Sequence, residues 1–183
     1  MRIIHDVIVW RDIMAKNILE QDYMRYPKAS DMPAFQQYFR KVQSTSFFPL
    51  KFFYNVIFRI LKEIRCVEIP KTTQIGPGLY LGHAYNITIN HRAIIGKNVN
   101  IHKGVTIGQT NRGGRQGVPV IGNDVWIGIN AIVVGKITIG DDVMIAPNSY
   151  VNCDVPSHSI AIGNPCIIKH RENATEGYID SKV

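Results

Sequence analysis

Six histidines are the residues of this chain best suited to move protons. An imidazole titrates near neutral pH and can take a proton from a hydroxyl as that oxygen attacks a carbonyl. His83 is the best candidate, in the run Leu81-Gly82-His83-Ala84. Glu68 stands fifteen residues upstream. A carboxylate on the far ring nitrogen would fix the tautomer and support the imidazolium. His91, in Asn90-His91-Arg92, and His102, in Ile101-His102-Lys103-Gly104, read first as surface residues and second as substrate contacts. His5, His158 and His170 fall outside the regular part of the chain and read as solvent-exposed.

The element that must position these groups is a six-residue repeat. Ile69, Ile75, Leu81 and Ile87 are followed, after a skip of two residues, by Ile95, Ile101 and Ile107. A longer gap follows, and the row resumes at Ile121, Ile127, Val133, Ile139, Ile145 and Val151. The next residue is usually small, as at Gly76, Gly96, Gly122 and Gly140. The fifth place is small or β-branched, as at Thr73, Val99, Val105, Val125, Ala131, Val143 and Ser149.

Helices repeat near 3.6 residues and strands near 2, so neither explains six. One side of a triangular solenoid does, with about eighteen residues per coil. The aliphatics point inward and stack between coils about 4.8 Å apart. A sandwich of ordinary short strands would not need this phase. Val133→Asp should unfold such a prism and Asn123→Asp should not. His83, at the third place of its unit, points outward, and Glu68 falls almost one coil below it, displaced by three residues.

Bulk properties narrow the setting. The chain has 183 residues, 45% hydrophobic and 19% charged, as in folded soluble domains. Three cysteines, Cys66, Cys153 and Cys166, show neither disulfide-framework nor metal-ligand spacing, which makes a reducing cytoplasm the default. The net charge of +7 favours an anionic ligand or membrane surface. The basic residues are scattered and no nucleic-acid motif is present, so nucleic acid is not expected. Met1-Arg2 leads into Ile3-Ile4-His5-Asp6, where charge interrupts the apolar core of a secretory leader. No run approaches the ~18–20 apolar residues of a membrane span.

Residues 1–66 form a predicted helical unit, 67–170 the repeat domain and 171–183 a polar, frayed tail. Ile3, Val7, Trp10, Met14 and Ile18 predict a helix over 4–23, ended by Tyr26-Pro27. Ser30 or Asp31 is expected to cap a second helix reaching Ser44 and burying Phe35, Phe39 and Val42. Phe47 to Ile64 holds five of the seven phenylalanines, interrupted by Lys51, Arg59 and Lys62. It reads as a helix packed on the helical unit, the prism end or another subunit, or as an interfacial helix on a membrane through residues 47–65. The skip before Ile95 reads as a small bulge at Asn90-His91-Arg92. The gap between Ile107 and Ile121 reads as an extruded loop, Gln109 to Gly117.

The repeat resembles the hexapeptide-repeat acyltransferases, which implies a mainly β fold, a left-handed parallel β-helix. Glu68-Ile69-Pro70, Gln74-Ile75-Gly76-Pro77-Gly78-Leu79-Tyr80-Leu81-Gly82-His83-Ala84, Gly104-Val105-Thr106-Ile107-Gly108 and Ile162-Gly163-Asn164-Pro165 resemble the serine acetyltransferases. That resemblance implies an acetyl-CoA-dependent O-acetyltransferase of cysteine biosynthesis, with His83 and Glu68 as its catalytic dyad. Gly108, Gln109, Thr110, Gly128, Ile129, Ala146 and Pro147 would line the acetyl-CoA groove, and backbone N–H groups near Gly108 would hold the oxyanion. It also implies a cytoplasmic homotrimer with sites between subunits, or a dimer of trimers. Outward apolar residues such as Trp126 would serve the self-association. No metal is expected.

The chain departs from the family at four points. Glu68 stands where the family has aspartate, and Gly82 where an aspartate precedes the histidine. Gly117-Val118 replaces an arginine–histidine pair that helps hold the substrate carboxylate. The helical unit is also short. The substrate contacts to test are therefore Gly82, His102, Arg112 and Arg115. Short relatives in polysaccharide clusters acetylate sugar hydroxyls, and a membrane-adjacent acceptor would suit the aromatic basic segment, which keeps a saccharide acceptor open beside L-serine. An amine acceptor and a non-catalytic binding or scaffold protein, including one holding metal through His83, His91 and His102, are the remaining alternatives.

Overall fold

The structure is a computed structural model that describes residues 18–183. The predicted helix over 4–23 falls largely outside the described residues. Its end, α1, is helical over 18–23. A 3₁₀ turn, Ala29–Asp31, leads to α2, Ala34–Ser44, and α3, Phe48–Arg65. α2 has no side-chain cap; Pro33 occupies that position, so neither Ser30 nor Asp31 caps it. The expected Phe35, Phe39 and Val42 are buried.

The repeat then winds into a parallel β-helix of triangular section. One face holds β1 (Gln74–Ile75), β4 (Ile94–Ile95), β7 (Val120–Ile121) and β10 (Thr138–Ile139). The second holds β2 (Tyr80–Gly82), β5 (Asn100–His102), β8 (Trp126–Ile127), β11 (Val143–Ile145), β13 (Ser159–Ile162) and, antiparallel at its end, β14 (Ile167–His170). The third holds β3 (Thr88–Ile89), β6 (Thr106–Gly108), β9 (Ile132–Val134) and β12 (Tyr150–Val151).

Register makes three interior columns of aliphatics. Ile75, Ile95, Ile121 and Ile139 stack on the first face, and Leu81, Ile101, Ile127 and Ile145 on the second. Ile89, Ile107, Val133 and Val151 form the third, all essentially inaccessible to solvent. Each side chain contributes roughly 1.5–3 kcal/mol of burial. The fifth-place residues, Thr73 to Ser149, are buried as expected.

The register corrects the sequence reading at one place. The third column passes from Ile69 to Ile89, not Ile87; Ile87 is buried but fills a fifth place. The two extra residues therefore lie between Leu81 and Ile89, at the corner that carries His83, and Asn90-His91-Arg92 is an ordinary corner. Equal burial of Ile87 and Ile89 makes this shift invisible in the aliphatic row alone. Asn123 is also less neutral than expected. Its Oδ1 accepts from Lys97 N (3.0 Å), and its Nδ2 donates to Asp141 Oδ1 (3.1 Å). Aspartate there would face Asp141 and cost about 1–3 kcal/mol without unfolding the prism.

The first coil would leave an open strand edge. The helical unit closes it with a buried polar network rather than with apolar contact alone. Arg40 pairs with Asp22 (2.8 Å) and donates to the carbonyls of Ile75 (2.8 Å) and Gly76 (2.6 Å). Asp22 accepts from Leu79 N (3.0 Å), Gln36 donates to Leu79 O (2.7 Å), and Tyr26 accepts from Leu81 N (2.8 Å).

Residues 171–183 are not frayed but fold back across the second face. The Asp142 carboxylate accepts from Ala174 N (2.9 Å), Thr175 N (3.0 Å) and Thr175 Oγ1 (2.7 Å), and Ile179 is buried. Tyr178 packs edge-on against Trp126 (5.0 Å between centroids), so the chain itself covers part of Trp126. His158 Nδ1 lies 2.9 Å from Asp142 Oδ2. That bond raises the His158 pKa. Partial burial pushes Asp142 up, but the bonds from Thr175, His158 and Ala174 outweigh it and hold the carboxyl below its usual range.

His158 thus helps hold the tail fully below its ordinary pKa of about 6.5, and the help fades as pH rises through its raised folded value. Asp142 contributes above about pH 4, and its contribution fades as pH falls through its lowered value. Trp126 emission, read with Trp10 replaced by phenylalanine, should show a transition on the alkaline side that His158→Ala removes. Emission independent of pH in that range would detach His158 from tail docking.

Candidate active site

The corner between the second and third faces is built alike in successive coils. One left-handed residue turns the chain at Gly104, Asn130 and Asn148, with φ of 74°, 58° and 58°. The first coil differs. Its two extra residues give two left-handed positions, His83 (φ 55°) and Asn86 (φ 53°). A non-glycine residue rarely adopts this conformation, and such strain gathers at functional sites. The insertion lifts His83 out of the coil and leaves it exposed.

Glu68 reaches the same corner from below. Its backbone pairs with β3: Glu68 N donates to Ile87 O (2.7 Å), and Ile89 N donates to Glu68 O (2.8 Å). Both side chains are exposed, and no hydrogen bond joins them in this structure. Catalytic contacts are often loose without substrate and tighten on binding.

His102 lies one coil above, opposite Gly82 in the β2–β5 pairing. A Cβ at position 82 would overlap the His102 ring, so glycine is what lets this imidazole lie down beside His83. Burial, with a smaller contribution from His83, pushes the His102 pKa below its ordinary value and keeps the ring neutral. Its Nε2 is buried without a partner. Tyr80 (6.3 Å), Trp126 (4.8 Å), Asn100, Arg25 and Tyr178 surround it in a pocket of about 440 Å³. Gly82 and His102 are far apart in sequence, and only register puts them side by side on neighbouring strands. Gly82→Asp should lower the thermal midpoint by an amount equivalent to about 1–3 kcal/mol, and adding His102→Ala should recover most of it. An unchanged midpoint in the single variant would show that the ring has room to swing away.

The residues expected to line a coenzyme groove divide into two groups. Gly128, Ile129, Ala146 and Pro147 continue the His83 corner up two further coils, linked by Asn130 N to Lys103 O and Asn148 N to Ile129 O. Gly108, Gln109 and Thr110 lie at the opposite edge of the third face, where the long loop leaves. Four to six residues at ~3.3 Å each set Gly108, Gln109 and Thr110 roughly 13–20 Å from the His83 edge. Gly108 therefore cannot hold an oxyanion at the same chain's His83.

The loop is pinned at its base. Gln109 Oε1 accepts from Arg92 Nη2 (2.8 Å) and Asn90 Nδ2 (3.3 Å), and Thr110 pairs with Gly117. Arg115 makes an exposed ion pair with Asp154 (3.1 Å), whereas Arg112 is exposed. The bonds from Thr138 N and Arg115 hold the Asp154 carboxyl below its usual range. His91 is exposed. Among the described residues, no three His, Cys, Asp or Glu side chains are grouped to hold a metal ion.

Comparison with known proteins agrees with this architecture. Residues 119–153 match the family model described as bacterial transferase hexapeptide (six repeats). A serine acetyltransferase of Helicobacter pylori is 35% identical over 113 residues, 62% of this chain and 66% of that protein. Serine acetyltransferase 2 of Arabidopsis thaliana is 37% identical, over 57% of this chain and 32% of its own length. The chain thus spans between a third and two thirds of these relatives. The structure of Neisseria gonorrhoeae serine acetyltransferase in complex with serine superposes with a TM-score of 0.71 at 29% identity, covering 86% of this chain and 70% of that one. The Brucella abortus enzyme in complex with coenzyme A superposes at 0.74 with 26% identity, covering 91% and 72%. Repeat, triangular prism and histidine corner together make this chain similar to the serine acetyltransferases, with the parallel β-helix architecture of hexapeptide-repeat transferases.

Proposed function

We propose that the chain transfers acetyl from acetyl-CoA to a hydroxyl, with L-serine as acceptor. The observation that carries the reading is His83, raised on a two-residue insertion in a left-handed conformation at one corner of the prism. His83 takes the hydroxyl proton as the oxygen attacks the thioester carbonyl, and then returns it to the departing sulfur. Glu68 orients and supports the imidazolium. Gly128, Ile129, Ala146 and Pro147 would carry the pantetheine arm along the corner. The separation of this edge from Gly108, Gln109 and Thr110 supports a trimer in which one subunit's loop completes the neighbour's site. The reading places the enzyme in the cytoplasm, with residues 47–65 able to meet the inner face of a membrane.

A saccharide acceptor is the second reading, and it has its own support. The carboxylate clamp is replaced by Gly117-Val118, Arg115 is engaged by Asp154, and the His102 pocket combines aromatic walls with polar groups. Thiol release from acetyl-CoA, measured with L-serine and then with sugars and nucleotide sugars, separates the two. Turnover with millimolar L-serine supports the first reading and leaves Arg112 or Arg115 to replace the carboxylate clamp. Silence with serine and release with a sugar replaces it with the second.

A further inference from the structure

Among the described residues, α3 is covered on one side only. Phe58 packs on Phe35 (5.2 Å) and Phe39 (6.2 Å), and Tyr54 on Tyr38 (5.7 Å). The other side carries Phe48, Phe52, Val56, Ile60 and Ile64 at four-residue spacing, with Phe53 beside them. That spacing makes one line along a helix, about 24 Å long at 1.5 Å per residue. All are exposed, Phe48 at 76% and Ile64 at 65%. No described helix is long and apolar enough to cross a membrane.

The charges on this helix are mostly cationic. Lys51, Arg59, Lys62 and Arg65 lie on α3 against a single acid, Glu63. None of the four forms an ion pair with another described residue. A groove of about 530 Å³ runs from the stripe to the first corner of the prism, lined by Phe52, Val56, Arg59, Lys62, Lys71 and Thr72. Apolar wall and cationic wall thus share one cavity. Joining two copies stripe to stripe would bring two such sets of cations together, in a chain of net charge +7. An anionic surface relieves that repulsion.

We propose that α3 docks on an anionic phospholipid bilayer, its aromatic and aliphatic stripe entering the headgroup boundary and the Arg59–Lys62–Lys71 groove taking a lipid phosphate. The proposal uses no step of acetyl transfer, so either can fail without the other.

Co-sedimentation of the full chain with vesicles is the test. Vesicles of phosphatidylcholine with about one third phosphatidylglycerol should carry the protein down, less so as salt rises, and pure phosphatidylcholine should carry little. Phe52→Glu with Ile60→Glu, and separately Arg59→Glu with Lys62→Glu, should each weaken binding at least about tenfold, with the circular dichroism unchanged. Absence of binding to the anionic vesicles at low salt overturns the proposal. So does binding that ignores both double variants. Sedimentation equilibrium showing a dimer that Phe52→Glu with Ile60→Glu breaks, without vesicle binding, assigns the stripe to a second copy and also overturns it.

Discussion

His83→Ala is expected to lower acetyl transfer about 10²–10⁴-fold while leaving thermal unfolding unchanged. The residue is exposed and its ring makes no hydrogen bond, so its loss removes no packing. Histidine already bears the Cβ penalty of the left-handed conformation at its φ of 55°, so alanine adds little strain. Glu68→Gln should cost less than His83→Ala, because an amide still orients the ring but does not balance its charge. Near-wild-type turnover in His83→Ala would remove the base from the mechanism. An undiminished rate in Glu68→Gln would leave Glu68 only its backbone role between coils.

Val133→Asp is expected to unfold the prism. Val133 is fully buried and stacked between Ile107 and Val151. A carboxylate there would have no partner and would cost several kcal/mol whether it ionised or took up a proton. Domain stability is only about 5–15 kcal/mol. Loss of the dichroism signal, or recovery only as insoluble protein, is the expected observation. A folded variant with an unchanged midpoint would mean that the interior column is not continuous.

The fold was legible because a period of six has few structural solutions and glycines recur in phase with it. The helical spacing of Phe35, Phe39 and Val42 likewise marked them as buried, and they are. The phase itself was legible only to within two residues. Ile87 and Ile89 are both aliphatic and both buried, and only strand pairing tells which belongs to the column.

Long-range polar contacts were not legible at all. Asp22, Arg40, Gln36 and Tyr26 look like surface residues of short helices, yet they close the first coil. The tail looked free because it is polar, but its fixed points are the backbone N–H groups and the Thr175 hydroxyl aimed at Asp142. At the site, residue identity marked His83, whereas its strained conformation and the His102 ring over Gly82 emerged only from register. Of the arginines singled out in the loop, Arg115 is engaged by Asp154.

The most direct test of the account follows the acetyl group itself. Purified chain, acetyl-CoA labelled in the acetyl methyl and L-serine would be mixed and observed by nuclear magnetic resonance. The account predicts loss of the thioester signal, growth of an O-acetyl ester on the acceptor, and neither change with His83→Ala. An intact thioester with folded wild-type protein, for serine and for every sugar tried, would contradict it.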